Sequence, residues 1–101
     1  MSSITLKKIK KILGPAFDEF GVKRLDVFGS LARGNETADS DVDLLVEFED
    51  PDLQPSRRYF GFLHFIEDNL GMDVDLITIN SLKNPYFRDR VLQEKVTIYE
   101  R

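Results

Sequence analysis

The chain has no cysteine among its 101 residues. This absence excludes disulfide bonds, zinc–thiolate centres and a cysteine nucleophile. Its single histidine, His64, falls in a predicted helix; a lone helical histidine is most often structural, so no catalytic role is assigned to it. No apolar run approaches the length of a membrane helix, and the first residues lack the apolar core of a signal peptide. These absences favour a cytoplasmic protein with no membrane association.

What the chain does contain is typical of a folded globular protein. Apolar residues make up 42% and charged residues 32%, and the length allows one domain over residues 1–101 with one small core. The formal net charge of −4 argues against broad attraction to nucleic acid, so direct nucleic-acid binding is not expected. One local basic face is either solvated or docks an acidic partner or RNA. It consists of Lys7, Lys8, Lys10 and Lys11.

The first part of the chain predicts a helix and then a strand. Apolar residues recur at helical spacing over residues 5–20, although Gly14-Pro15 is expected to kink this helix or split it in two. Gly21 suits the C-cap position. A strand is predicted over about 24–28, with a turn and short helix at 29–34. The apolar face of the first helix consists of Leu6, Ile9, Ile12, Leu13, Ala16, Phe17 and Phe20.

The second part alternates strands and helices. A strand is predicted from Asp41 to about Phe48, a helix over about 56–70, and a third strand over 73–79. A final helix follows to about residue 93, capped by Ser81 and with Pro85 in its first turn, and a short strand covers 95–99. This order predicts an α/β fold with a small mixed β-sheet flanked by helices. The apolar residues expected in the final helix are Tyr86, Phe87, Val91 and Leu92.

Two aromatic residues on the third helix have two interpretations. Phe60 and Phe65 lie on the flanks of that helix's apolar stripe, which consists of Tyr59, Phe62, Leu63, Ile66 and Leu70. They either pack on neighbouring elements or leave an apolar patch for another chain. Association with a second copy of the chain is therefore left open.

A glycine–serine pair follows the first predicted strand. Gly29 permits a backbone conformation that residues with a Cβ atom avoid, and it lets a ligand approach the main chain. The amides of Ser30 and Leu31 begin a short helix without partners inside it, so they suit a phosphate group. Capping of that helix is the alternative role of Ser30. Arg33 either contacts phosphate or a partner, or is a surface residue.

Two aspartates open the next predicted strand. Because side chains alternate across a strand, Asp41 and Asp43 share one face, opposite Val42 and Leu44. Two carboxylates on one face repel each other unless a cation lies between them, and hard oxygen ligands suit Mg²⁺. A phosphate cradle beside such a pair predicts metal-assisted phosphoryl or nucleotidyl transfer. The alternative, an edge strand that uses charge to block aggregation, does not explain the preceding Gly29-Ser30 pair.

These motifs resemble the signature of the DNA polymerase beta-like nucleotidyltransferase superfamily. The match consists of Gly29-Ser30, ten intervening residues and Asp41-Val42-Asp43. The sequences of residues 28–34 and 40–48 resemble those of the minimal members of the superfamily, the MNT proteins. These proteins are often antitoxins paired with HEPN-domain toxins. The family has a third carboxylate on a neighbouring strand, for which Asp75 fits best and Asp73 is the reserve. The resemblance covers about residues 20–100 and implies a single nucleotidyltransferase domain.

The resemblance also implies a role for each motif residue. The catalytic carboxylates and ligands of two Mg²⁺ ions are expected to be Asp41, Asp43 and Asp75, with Asp75 also a candidate base. The nucleotide-binding residues are expected to be Gly29, Ser30 and Arg33, with ATP as the substrate. An acceptor hydroxyl attacks the α-phosphate, and pyrophosphate leaves.

The acceptor implied by the resemblance is another protein. Larger relatives carry a second domain for their acceptor, and 101 residues leave no room for one. The leading hypothesis is a protein adenylyltransferase antitoxin that transfers AMP to a tyrosine of a partner HEPN toxin. The alternatives are a non-catalytic nucleotide-binding module that neutralises the toxin by contact, and nucleotidyl transfer to RNA or a small molecule.

Overall fold

The structure, a computed structural model, describes residues 6–32 and 42–101. Helices and strands follow the order that the periodicity predicted. They are α1 (Leu6–Glu19), β1 (Val22–Phe28), α2 (Gly29–Ala32), β2 (Val42–Phe48), α3 (Pro55–Leu70), β3 (Val74–Thr78), a 3₁₀ turn (Ile79–Ser81), α4 (Pro85–Glu94) and β4 (Val96–Glu100). No helix in these two ranges is long and apolar enough to cross a membrane.

The four strands form one mixed sheet in the order β3-β2-β1-β4. Strand β1 runs antiparallel to both of its neighbours, β2 and β4, whereas β2 and β3 are parallel and are joined through α3. The predicted α/β class, with a small mixed sheet flanked by helices, is confirmed. β3 is an edge strand, so no strand in the described residues pairs with its outer main-chain groups.

One face of the sheet carries the main core. Val42, Leu44 and Val46 of β2 are buried there under α1 and α3. The predicted apolar face of α1 is confirmed, since Ile9, Leu13, Ala16 and Phe17 are all buried. α1 is one helix with Pro15 inside it, so of the two predicted effects, a kink or a split, the split does not occur. Buried residues on both sides of Pro15 pack on the same core, which offsets the lost backbone hydrogen bond.

The helix ends follow the predicted glycine signals. Gly21 and Gly71 both have a φ of +66°, the left-handed conformation that glycine adopts most readily. The Gly71 amide donates to the carbonyl of Glu67, which closes α3. On α3, Phe65 packs against the core and contacts the ring of Phe20, whereas Phe60 is 53% exposed.

The other face of the sheet carries a small second cluster under α4. It consists of Phe28, Leu45, Leu82 and Val91. The four apolar residues predicted for this helix all lie in α4. Only Val91 of the four is buried, whereas Tyr86, Phe87 and Leu92 are exposed. Tyr86 and Val91 lie about 140° apart around a helix. α4 therefore buries a single narrow stripe, and Val91 and Leu82 suffice to cover Phe28 and Leu45.

The cap of α4 also differs from the prediction. Asn84, not Ser81, caps the helix: its Oδ1 accepts from the amides of Tyr86 at 2.9 Å and Phe87 at 3.3 Å. Ser81 instead donates its hydroxyl to the carbonyl of Thr78 within the 3₁₀ turn. Pro85 occupies the first turn as predicted, where its missing amide costs nothing.

Candidate active site

The parallel pairing of β2 and β3 places two predicted site residues side by side. Asp43 of β2 stands directly opposite Asp75 of β3 in the register. Neighbouring strands lie about 4.8 Å apart, so the two residues are near neighbours on the same face of the sheet. Asp43 is half-buried and Asp75 is exposed. Asp73 precedes the first residue of β3 and is outside this pairing.

The turn after β1 brings Gly29 against the same carboxylate. Phe28, the last residue of β1, pairs with Asp43. Gly29 has a φ of +74°, and a Cβ atom built on it would lie 2.2 Å from Oδ2 of Asp43. The sequence predicted that Gly29 allows a close approach to the main chain. The structure adds that a carboxylate of the chain itself makes that approach.

The remaining predicted site residues are described only in part or not at all. The main chain of Ser30 lies in α2, while its side chain is outside what the structure describes. Arg33 and Asp41 both lie outside the described residues. Of the six predicted site residues, the structure therefore brings together Gly29, Asp43 and Asp75, with the main chain of Ser30 adjoining them.

The described carboxylates fit a divalent cation by their chemistry. Asp43 and Asp75 provide hard oxygen donors of the kind that Mg²⁺ prefers. Like charges that face each other across two strands destabilise the sheet unless a cation neutralises them. Within residues 6–32 and 42–101 no three acidic or histidine side chains are grouped to hold a metal ion. The described part of the chain thus supplies a pair of donors.

Tyr59 is a residue near the site that the sequence did not reveal. Its hydroxyl donates to the carbonyl of Leu76 at 2.5 Å. The Asp73 carbonyl accepts from Val42 on the inner side of β3, so alternation along the strand points the Leu76 carbonyl outward. Burial raises the pKa of Tyr59, and the charge of Asp75 raises it further. The sequence pattern indicated only that Tyr59 belongs to the apolar stripe of α3.

A buried ionic cluster lies on the same face of the sheet, further along β1. The side chain of Asp26 is 2% exposed and accepts from Nε of Arg24 at 3.2 Å and Nζ of Lys95 at 3.4 Å. Its hydrogen bond to Arg24 is the main cause that raises the pKa of the guanidinium. Leu45 of the apolar cluster pairs with Asp26. The sequence signal for this cluster is an aspartate between the apolar residues Leu25 and Val27 of a strand.

The first turn of α4 adjoins the start of α2. The ring of Phe87 meets the ring of Phe28 edge-on, with 6.3 Å between centroids. Phe28 is followed directly by Gly29, so this contact fixes α4 beside the turn that carries Gly29. The sequence placed Phe87 in the final helix but gave no sign of this contact.

Known proteins share this arrangement of elements and much of the sequence. A family model described as a nucleotidyltransferase domain matches residues 6–98. Protein adenylyltransferase MntA of Thermococcus cleftensis is 39% identical over 102 residues, covering 97% of this chain and 100% of that protein. A protein of Methanocaldococcus jannaschii assigned as a protein adenylyltransferase is 38% identical over 93 residues, covering 92% of this chain and 90% of its own length.

Solved structures agree with the fold. A structure assigned as a minimal nucleotidyltransferase has a TM-score of 0.76 and 31% identity, covering 95% of this chain and 98% of that chain. A second structure is the complex of a tri-AMPylated Shewanella oneidensis HEPN toxin with an MNT antitoxin. Its TM-score is 0.66 at 15% identity, covering 96% of this chain and 74% of that chain. This second likeness shows the fold alone.

Proposed function

Since the chain belongs to the nucleotidyltransferase domain family, we propose that it transfers AMP from ATP to a tyrosine hydroxyl of a HEPN-domain toxin and so acts as an antitoxin. The observation that carries this proposal is the register pairing of Asp43 with Asp75, with the main chain of Gly29 against the Asp43 carboxylate. A nucleotidyltransferase needs a nucleotide cradle beside paired carboxylates, and these residues supply both.

Asp43 and Asp75 differ in burial, and this difference indicates different roles in the transfer reaction. Asp43 is half-buried against Gly29, so it faces the side on which the amides after Gly29 would hold the triphosphate. Asp75 is exposed at the edge strand, where an acceptor on another protein can arrive. We assign Asp75 the role of accepting the proton of the attacking hydroxyl. The hydroxyl oxygen bonds to the α-phosphorus as the bond to pyrophosphate breaks.

Divalent cations complete this proposal. Asp41, Asp43 and Asp75 would hold them, with two Mg²⁺ ions expected from the family resemblance. When bound, such ions neutralise phosphate charge and stabilise the entering and leaving oxygens. The chain's own contribution is to position the carboxylates and to keep Gly29 free of a side chain that would displace Asp43. Positioning of this kind supplies a large part of the barrier reduction in transfer reactions.

The relatives support a protein as the acceptor. The Thermococcus cleftensis relative is named a protein adenylyltransferase and matches 97% of this chain. The fold also occurs in the complex of a HEPN toxin with an MNT antitoxin. With a net charge of −4, the chain is better suited to a protein acceptor than to a nucleic acid.

A labelled transfer assay tests the proposed function. The purified chain, Mg²⁺ and α-labelled ATP are incubated with a purified HEPN-domain toxin from the same organism, and both proteins are weighed by intact mass spectrometry. We expect one or more AMP groups on a tyrosine of the HEPN protein, and none with the Asp43→Asn or Asp75→Asn variant. The matched control is Asp73→Asn, which alters an aspartate outside the register pair and should transfer AMP at the wild-type rate.

Two results would count against the proposal. A stable complex that contains ATP but gains no AMP would favour a non-catalytic module that neutralises the toxin by contact. Loss of transfer in Asp73→Asn with full transfer in Asp75→Asn would reverse the assignment of the third carboxylate.

A further inference from the structure

Asp75 lies on a strand that the sheet supports on one side. β3 is an edge strand of five residues, Val74–Thr78, and within the described residues β2 alone pairs with it. We propose that Tyr59 of α3 is a positioning residue for Asp75, because its hydrogen bond to β3 fixes the main chain that carries this carboxylate. The inference rests on the proposed function, since it deepens the role assigned there to Asp75.

No side chain of the described residues holds the Asp75 carboxylate by a hydrogen bond or an ion pair. The side chain is also exposed. A group that accepts a proton or binds a cation must be held within about 0.5 Å of its working position. The position of this carboxylate therefore depends on how firmly the main chain at residue 75 is held.

The main chain around Asp75 is held from two sides. The Asp73 carbonyl accepts from the Val42 amide on the β2 side, so alternation directs the main-chain groups of Asp75 towards β2 as well. The carbonyl of Leu76, the next residue, points outward, and the Tyr59 hydroxyl donates to it at 2.5 Å. β2 thus holds residue 75 and Tyr59 holds residue 76, which fixes the pleat at Asp75.

The ring of Tyr59 gives this hydrogen bond a rigid support. It packs against the main core and meets the ring of Phe60 edge-on, with 5.1 Å between centroids. The residue that accepts the hydrogen bond is fixed as well, because the Leu76 side chain is buried in the same core. The hydrogen bond joins two groups that packing already orders, so forming it costs little further conformational entropy.

Tyr59 acts on the reaction through Asp75 and not directly. Its hydroxyl proton is directed at a main-chain carbonyl, so it does not face a reacting group. Burial, and then the charge of Asp75, raise the pKa of Tyr59, so the hydroxyl stays protonated and keeps donating at neutral pH. The effect of the Asp75 charge also shows that the two side chains lie within electrostatic range of each other.

Mg²⁺ binding tests this role without any transfer reaction. We compare the wild-type chain with Tyr59→Phe, which removes only the hydroxyl, in calorimetric titrations with Mg²⁺ at neutral pH. Tyr59→Phe is expected to bind Mg²⁺ about tenfold more weakly, the lower end of the loss usual when a group that orients a metal ligand is removed. A hydroxyl that only stabilised the fold would affect the Tm but leave the Mg²⁺ affinity of the folded chain unchanged.

A double-mutant cycle shows whether the effect passes through Asp75. In the Asp75→Asn background, Tyr59→Phe should cause no further loss of Mg²⁺ affinity, because the carboxylate that Tyr59 positions is absent. Additive losses of affinity in the double variant would overturn the inference, as would wild-type Mg²⁺ affinity in the Tyr59→Phe single variant.

The matched control is Tyr99→Phe. Tyr99 lies on β4, the opposite edge strand, and its hydroxyl accepts from Nε of Arg101 at 3.1 Å. The same hydroxyl deletion at this edge should leave the Mg²⁺ affinity and the transfer rate at their wild-type values. Equal weakening of Mg²⁺ binding by Tyr99→Phe would show a general effect of loosening a sheet edge and would overturn the positioning role.

Transfer kinetics with a purified HEPN-domain toxin from the same organism extend the test. At saturating Mg²⁺, we expect kcat of Tyr59→Phe to fall about tenfold, because a small displacement of a reacting group is enough for such a loss. The KM for ATP should stay at the wild-type value, since in the proposed function the triphosphate is held beside Gly29. A raised KM for ATP with an unchanged kcat would contradict a role through Asp75.

The two proposals fail in different ways. If the wild type transfers AMP, and Tyr59→Phe binds Mg²⁺ and transfers AMP as the wild type does, only the positioning role is wrong. If Mg²⁺ binding depends on Tyr59 through Asp75 but the wild type transfers no AMP, only the proposed function is wrong. A wild-type chain that neither binds Mg²⁺ nor transfers AMP overturns both.

Discussion

Gly29 holds its main chain against the Asp43 carboxylate with a φ of +74°. Because a Cβ atom there would lie 2.2 Å from Oδ2, a Gly29→Ala variant must displace the carboxylate or the turn. We expect kcat/KM to fall by at least about tenfold, since misplacement by about 1 Å can cost two orders of magnitude. Steady-state transfer kinetics measure this loss.

Gly14 provides the control for that substitution. It lies within α1, and its φ is not positive. Apart from its two chain neighbours and the backbone of its own helix, no atom of the described residues lies within 4 Å of its ideal Cβ position. Gly14→Ala should leave transfer unchanged, although an alanine directly before Pro15 is disfavoured in a helix and is expected to lower the stability of α1. Similar kinetic losses in both variants would show that the turn at Gly29 has no special role.

Tyr59 is the second residue with a specific prediction. Its hydroxyl bonds to the Leu76 carbonyl, so Tyr59→Phe should lower the free energy of unfolding by about 1 kcal/mol. Burial, and then Asp75, raise the pKa of Tyr59 above its ordinary value. The folded pKa exceeds the unfolded one, so the stability gained is complete below about pH 10 and is lost as pH rises through the folded pKa.

Urea unfolding measured as a function of pH tests whether the free energy of unfolding decreases as the pH rises through the pKa of Tyr59. The free energy of unfolding of the wild type should decline more steeply above about pH 10 than that of Tyr59→Phe. The control Tyr86→Phe alters an exposed tyrosine and should keep the wild-type pH dependence. Parallel curves for wild type and Tyr59→Phe would contradict the assignment.

At the scale of elements, Asp26 joins β1 to the junction of α4 and β4. Its buried carboxylate pairs with Arg24 on its own strand and with Lys95, the C-cap residue of α4. We expect Asp26→Asn to destabilise the fold by about 2 kcal/mol. This is less than the usual cost of breaking a buried pair, because the cations keep access to solvent. Urea unfolding measures the loss, and the exposed Asp68→Asn change is the control.

The elements themselves were largely predictable from the sequence. The periodicity of α1 and the alternation in β2 place buried residues at regular spacing, so both elements follow from the chain alone. The cap of α4 was not predictable with the same certainty. Ser81 and Asn84 are both suitable capping residues, and the 3₁₀ turn that engages Ser81 decides between them. The exposure of Tyr86 depends on how much of the sheet α4 covers, which no local pattern contains.

At the scale of the whole molecule, cation binding should raise the stability of the fold. A ligand that binds only the folded state at ten times its Kd contributes about 1.4 kcal/mol. We expect Mg²⁺ to raise the Tm of the wild type, and EDTA to reverse the shift. Scanning calorimetry should show no such shift for the Asp43→Asn/Asp75→Asn double variant. An equal Tm shift in the double variant would show that the cation binds elsewhere. Asp73→Asn is the control and should show the wild-type Tm shift.

The sequence by itself determined the motif spacing and the order of elements. Gly29-Ser30 and Asp41-Val42-Asp43 stand at fixed separations along the chain, so the resemblance to nucleotidyltransferases and the α/β class follow without any tertiary information. The roles of all six predicted site residues stay predictions. For Ser30, Arg33 and Asp41 the side chains also lie outside the described residues.

Only the tertiary structure decided which distant residues meet. The register of β2 against β3 puts Asp75, and not Asp73, opposite Asp43. Burial of Val42 and Leu44 excludes a shift of one residue, because that shift would turn the apolar side chains to the other face. It does not exclude the shift of two residues that separates Asp73 from Asp75, so the pairing in the folded sheet distinguishes them. The hydrogen bond from Tyr59 to the Leu76 carbonyl likewise joins separate elements, and such contacts depend on packing rather than on local sequence.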